Sequence, residues 1–272
     1  MQTFFPWVGG KRQLAKRLLS LIPDHTCYVE IFAGSARLLF SKDPDASKAE
    51  VINDLDDDIV NLFDVVQAPS KFKGFLDRLR WLLSSRTKFE QFKRFEVIGL
   101  TPVDRAVRFY YLLKNCFAGN LKSPTFGYGT SRRAKMVNGP YIQARLAEVH
   151  GRLRGVYIEH LDFEDCIRRY DRTHTFFYAD PPYIDAKEHR CTFTESDHAR
   201  LASALRGIKG RFLLSYNDHP TIRRLYKGHR IRTVHVQYTI SRRKGLTPSH
   251  ELLIANYPLP RKIGLAETDR YA

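Results

Sequence analysis

An α/β fold is what the sequence predicts: a sheet of strands joined through helices and broken by one helical and loop-rich insertion. Three observations predict it. Cys27-Tyr28-Val29-Glu30-Ile31-Phe32 reads as a strand that runs straight into Ala33-Gly34-Ser35-Ala36-Arg37 and a helix beginning near Leu38. That is the strand, tight turn, helix unit of a nucleotide-binding crevice. Between 55 and 112 the apolar residues recur at helical spacing, from Ile59, Val60, Leu62 and Phe63 to Tyr110, Tyr111 and Leu112, and such stripes are core. Phe177-Tyr178-Ala179-Asp180-Pro181-Pro182-Tyr183 is an aromatic strand that stops at two prolines. Neither proline can donate a ladder hydrogen bond, so the last carboxylate, Asp180, sits at a sheet edge and faces a crevice.

At 272 residues the chain is long enough to bury a proper core. Its formal charge of +16, from 45 Lys and Arg against 29 Asp and Glu, exceeds what solubility needs and predicts a polyanionic partner, nucleic acid first. A membrane surface is the rival, but no apolar stretch approaches the ~20 residues of a spanning helix. The start, Met-Gln-Thr-Phe-Phe-Pro, lacks the pattern of a signal peptide, so a cytoplasmic location is expected. Cys27, Cys116, Cys166 and Cys191 show no Cys-x-x-Cys spacing and the histidines no His-Glu-x-x-His, so neither a metal nor a disulfide scaffold is expected.

In chain order, Gly9-Gly10-Lys11 opens a helical pattern through Leu14 to Ile22. Read alone it is an ordinary loop entering a helix, although amides there with Lys11 suit a carboxylate or phosphate. Glu50 to Asp54 is a second strand ending in an acid, about twenty residues after the glycine turn, where a carboxylate can accept both hydroxyls of a ribose. Lys88, Lys93, Arg94, Arg105 and Arg108 interleave the helical stretch, and together they suit a nucleic-acid surface. From Asn115 to Tyr141 Gly, Ser, Thr and Asn mix with Lys114, Lys122, Arg132, Arg133, Lys135 and the aromatics Phe117, Phe126 and Tyr128. A loop of that length in a compact domain has a function, and this one suits tracking a phosphate backbone.

The sheet pattern resumes at Val156–Glu159 and again at 161–164, before the strand that carries Asp180. Residues 184–190 read as a mobile lid, Thr194-x-x-Asp197 as a capping box opening a helix, and 211–216, 232–240 and 251–257 as strands, with 241–247 a basic loop.

Phe-Pro-Trp-Val-Gly-Gly-Lys, Glu-Ile-Phe-Ala-Gly-Ser, Asn-Asp and Asp-Pro-Pro-Tyr occur in that order, and with them the chain resembles the Dam-like, D12 class of DNA adenine-N6 methyltransferases. The resemblance runs from about Phe4 to Tyr257 and implies a Rossmann-like S-adenosylmethionine-dependent methyltransferase sheet, 1–58 and 155–272, with a target-recognition insertion at 59–154. It implies that Trp7 and Lys11, beside Gly10, hold the methionine end of S-adenosylmethionine. Glu30, Phe32 and Gly34 lie beneath this cofactor, Asp54 meets its ribose, and Asp162 and Phe163 flank its adenine. Asp180, Pro181, Pro182 and Tyr183 match the catalytic motif, with Asp180 also beside the cofactor. Lys114, Asn115, Phe117, Asn120, Lys122, Arg132, Arg133 and Lys135 are the expected DNA-binding set, on double-stranded DNA, in a monomer or weak dimer.

Two positions depart from the family. Ala36 stands where a glycine is frequent, which a slightly wider turn would absorb, and Gly119 stands where an aromatic is common. RNA adenine, cytosine N4 and a non-catalytic DNA-binding role remain the alternatives.

Overall fold

The early strands are separated by helices, and crossovers of that kind return each strand parallel to the last. The computed structural model describes residues 1–7, 14–128, 139–184, 193–236 and 249–260. It begins with α1 (Ala15–Leu19), β1 (Cys27–Glu30), α2 (Arg37–Ser41) and β2 (Ala49–Asn53). The insertion supplies α3 (Asp57–Gln67), α4 (Pro69–Leu79), α5 (Arg86–Arg94), α6 (Pro102–Asn115) and α7 (Pro140–Leu153). The chain then returns as β3 (Val156–Glu159), α8 (Phe163–Tyr170), β4 (Thr175–Ala179), α9 (Glu195–Arg206) and β5 (Arg211–Asn217). Helix α10 (Pro220–Leu225), β6 (Arg230–Val236) and β7 (Ser249–Ala255) follow.

The strand order is β3-β2-β1-β4-β5-β7-β6, and β7 runs antiparallel to both its neighbours. Connections from β1 lead to one side of the sheet and those from β4 to the other. Loops leaving these two adjacent strands therefore diverge, and a crevice opens at their carboxyl ends.

Both faces of β1 are buried, its terminal Glu30 included. Tyr28 packs in a cluster with Phe40, Ile52 and Phe176 that also takes Phe63, Phe75, Tyr110 and Leu146 from the inserted helices. Val29 packs on the other face with Phe177, Leu201, Phe212 and Leu214. The insertion thus shares a core with the sheet, and α3 spans its expected start at 58/59. Ionic contacts reinforce the joint: Glu50 on β2 accepts from Lys42 at 2.8 Å and from Arg152 of α7 at 2.5 and 2.8 Å, all three buried or nearly so. A smaller cluster of Phe89, Tyr111, Leu112 and Cys116 fastens α5 to the end of α6.

Two expectations are corrected. The run at 161–164 is not strand: Asp162 caps α8, accepting from the Glu164 amide at 2.9 Å, and the helix starts at Phe163. Alternation alone could not see this, because a side-chain cap satisfies amides that a ladder would otherwise need. The turn after β1 is also not widened by Ala36. Ala36 takes the left-handed conformation, φ 49°, and its amide donates to Ala33 at 2.6 Å. The tight glycine geometry persists, at a conformational cost of about 1 kcal/mol in a residue with a Cβ. The capping box at Thr194 and Asp197 is formed as the spacing predicts. The expected lid at 184–190 and the loop at 241–247 fall almost wholly outside the described residues.

Candidate active site

At the divergence of β1 and β4 the strand ends are bolted together. The Ile31 amide donates to Tyr178 at 3.0 Å, and the Ala33 amide to Asn53 at 2.8 Å. The buried Asn53 amide group donates to the Ile31 and Leu161 carbonyls, both at 3.0 Å, and accepts from the Leu161 amide at 2.9 Å. This one side chain holds the turn after β1 and the loop before α8. Sequence reasoning passed over it in favour of the neighbouring acid; an amide side chain at the end of a buried strand is the signal that could have found it.

Asp54 faces the glycine turn. Its oxygens accept from the Gly34 amide at 2.7 Å, from the Asp56 amide at 2.9 Å and from the Leu55 amide. Burial raises its pKa to about 6 despite those hydrogen bonds. Gly34 is left-handed, φ +49°, and a Cβ there would lie 2.7 Å from the Trp7 indole nitrogen. Trp7 therefore lies against the turn with no room for a side chain between them. Gly34→Ala is expected to cost about 1–2 kcal/mol from conformation alone, with further loss from the Trp7 clash. Urea denaturation measures the first, and a shift of tryptophan emission the displacement; an unchanged midpoint and spectrum would overturn the packing.

Across the crevice, Asp180 follows β4 and is half-buried. The Ser215 hydroxyl on β5 donates to its Oδ1 at 3.0 Å, and the Tyr178 hydroxyl lies 3.0 Å from the same Ser215 oxygen. Tyr183 stacks on Tyr216, ring centroids 5.5 Å apart at 29°, and the Tyr216 hydroxyl is hydrogen-bonded to Nδ1 of the buried His198. Burial first, and then the Asp180 charge, hold the Tyr183 phenol well above its ordinary pKa; it stays a neutral ring. Burial also lowers the pKa of His198.

Glu30 is placed beneath the crevice, 1% exposed. Its Oε1 accepts from the Tyr28 hydroxyl at 2.9 Å and from the Leu39 amide. Burial, with a contribution from Asp180, lifts its pKa to about 8, so it is neutral at pH 7. Phe32, Phe163 and Phe193 form a ring cluster with centroids 5.7 to 5.9 Å apart, and the Arg200 guanidinium lies 4.7 Å over Phe163. Arg200 also pairs with Asp162 at 3.1 Å and Glu164 at 2.8 Å. Phe193 and Arg200 were not foreseen, because only tertiary packing brings α9 to this loop. Gly10 and Lys11 lie outside the described residues.

The insertion sorts the expected DNA-facing residues. Phe117 is 65% exposed, Lys122 is exposed, and Lys114 lies over the Tyr110 ring. Asn120 orders the turn by accepting from the Lys122 and Ser123 amides at 3.0 and 3.3 Å. Asn115 is buried and donates to the Tyr111 carbonyl at 3.0 Å, so it holds the loop from inside. Arg132, Arg133 and Lys135 fall outside the described residues.

Arg105 and Arg108 brace helices: the first pairs with Asp58 at 2.6 Å and the second donates to the Phe92 carbonyl at 2.6 Å. Arg86, which sequence reasoning missed, lies 5.0 Å over Phe126 and 5.3 Å over the exposed Tyr128. Gly119, φ +72°, is pressed to the Pro6 carbonyl, which a Cβ would approach to 3.1 Å. That contact explains why an aromatic is not accommodated there, and it seats the loop after α6 on the segment that carries Trp7. Among the described residues, no group of three or more His, Cys, Asp or Glu could hold a metal ion, and no helix is long and apolar enough to cross a membrane.

A model of the D12 class N6 adenine-specific DNA methyltransferase family matches residues 7–240. The chain is 27% identical to the Type II methyltransferase M.CviBI of Paramecium bursaria Chlorella virus NC1A, over 88% of this chain and 90% of that protein. It is 26% identical to the Type II methyltransferase M1.LlaDCHI of Lactococcus lactis subsp. cremoris, over 94% and 96%. To the DNA adenine methylase of Escherichia coli (strain K12) it is 25% identical, over 94% and 95%.

Proposed function

Because this chain belongs to the D12 class of N6 adenine-specific DNA methyltransferases and so acts on adenine in DNA, we propose that its methyl donor is S-adenosylmethionine and that Asp180 directs the attacking amine. The observation that carries this reading is the position of Asp180, at the end of β4 and at the switch point, across from the Gly34–Asp54 turn. The residues fit the donor. Asp54 places a carboxylate acceptor beside the turn, which suits a ribose hydroxyl, while Gly34 leaves the turn bare of side chain against Trp7. Trp7, Gly10 and Lys11 would hold the amino-acid end, Glu30 and Phe32 would underlie the site, and Asp162 and Phe163 would flank the adenine.

When bound, S-adenosylmethionine supplies a sulfonium methyl group. The exocyclic amine of adenine is a poor nucleophile, because its lone pair is delocalised into the ring. Asp180 accepts one of its N–H bonds and the Pro181 carbonyl the other, while Pro181 and Pro182 keep the corner rigid. The amine becomes more tetrahedral and its lone pair is aimed. A base in a duplex must first be flipped, at a cost of about a few kcal/mol, and the Tyr183 ring offsets part of this by stacking, worth roughly 1 to 3 kcal/mol. The insertion, 59–154, engages double-stranded DNA through Lys114, Phe117, Asn120, Lys122, Arg132, Arg133 and Lys135, with Asn115 supporting the loop. The protein works in the cytoplasm as a monomer or weak dimer.

Incubation with methyl-labelled S-adenosylmethionine and unmethylated duplex DNA, followed by base analysis, is expected to place label on adenine N6. Label on cytosine N4, or transfer to RNA in preference to DNA, would overturn it.

A further inference from the structure

We propose that Ser215 and Tyr178 form a directed hydrogen-bond chain that positions Asp180 for the transfer, with Ser215 the essential link. The proposal deepens the reading of Asp180 given above and rests on it. A serine hydroxyl has one proton and an ionised carboxylate has none to give. Once Ser215 donates to Asp180 Oδ1 at 3.0 Å, its contact of 3.0 Å with Tyr178, and its contact with Tyr183, can be made only with the tyrosines donating. The polarity of the chain is thereby set: Tyr178 hydroxyl to Ser215 hydroxyl to Asp180.

Each member comes from regular structure. Tyr178 lies in β4, two residues before Asp180, and Ser215 lies in the adjacent parallel strand β5. Ser215 is 0% exposed and Tyr178 3%, so water does not compete for either hydroxyl. Burial, together with the Asp180 charge, keeps the Tyr178 phenol protonated. Asp180 itself lies just beyond the strand. The hydrogen bond to Oδ1 helps to hold the carboxylate where it meets the adenine amine. Ser215 touches neither substrate nor donor; it is a positioning residue.

The test uses the full chain, with single-turnover methylation of duplex DNA at saturating S-adenosylmethionine, beside KM for both substrates and thermal unfolding. Ser215→Ala is expected to slow transfer by about 10-fold or more, as loss of a hydrogen bond to a charged group implies, with both KM values within about twofold of the parent. Tyr178→Phe is expected to slow it by about threefold, because its effect passes through Ser215. The double variant is expected to match Ser215→Ala alone, since the links act in series. Ser215→Thr, which restores the hydroxyl, is expected to recover part of the rate.

An unchanged rate for Ser215→Ala, a loss carried by KM, or additive effects in the double variant would overturn the chain. Asp180→Ala, measured alongside, separates the two readings. If it abolishes transfer while Ser215→Ala does not slow it, the chain fails and Asp180 stands. If Asp180→Ala keeps full rate, the reading of Asp180 fails as well.

Discussion

Asp180→Ala is expected to reduce methyl transfer by about 10²–10³-fold, the scale for removing one preorganised polar group aimed at developing charge. Binding of S-adenosylmethionine is expected to persist, since Trp7, Gly34 and Asp54 lie on the β1 and β2 side of the crevice. Asp180→Asn is the sharper comparison: it keeps the volume but presents a donor as well as an acceptor, and it removes the charge. Its rate is expected to fall well below the parent, because the amine needs an acceptor of full strength. Single-turnover assays with an equilibrium titration of the donor measure both parts. Retained turnover in Asp180→Ala would remove this carboxylate from the mechanism.

The second large effect is on stability and comes from Glu30. Its pKa is raised to about 8, with burial the first cause, against about 4.3 in an unfolded chain. Between those values the folded state keeps a proton that the unfolded state has released. Stability from this group is therefore fully present below the unfolded pKa and is lost as pH rises towards the folded one. Glu30→Gln mimics the neutral acid and keeps the acceptor that serves Tyr28 and Leu39. Parent and variant are expected to be nearly equal in stability near pH 4, where the amide replaces a protonated acid of the same shape. The variant is expected to be more stable by on the order of 3 kcal/mol near pH 7, where one pKa unit corresponds to about 1.4 kcal/mol. Asp54, raised to about 6, acts in the same direction in both proteins and cancels in the difference. Urea titrations across pH measure it; a difference that does not grow with pH would show that Glu30 is ionised in the folded protein.

Local chemistry was legible where it repeats along the chain. The strand at 27–30, the glycine turn, the acid at Asp54, the capping box at Thr194 and the Asp180-Pro181-Pro182-Tyr183 corner all depend on neighbours within a few residues, or on a spacing set by one βα unit. Features that depend on contacts across the chain were not legible. Asp162 looked like strand because alternation does not report which amides need a cap. Asn115 looked like a polar loop residue, yet the end of α6 is buried against α5 and the loop. Arg105 and Arg108 counted as surface charge until Asp58 and the Phe92 carbonyl were found beside them.

By itself the sequence determined the alternation of strands and helices, the net positive charge, and that Asp180 ends a strand, because these follow from periodicity, composition and the stereochemistry of proline and glycine. That this strand is the central one of the sheet, and not an edge, was decided by the tertiary structure. Only the tertiary structure decided that Ser215 and Tyr178 orient that carboxylate, that Glu30 is neutral, and that Gly34 and Gly119 press on Trp7 and Pro6. Hydrogen-bond direction, burial and close backbone approach arise between segments distant in sequence, and no local pattern encodes them.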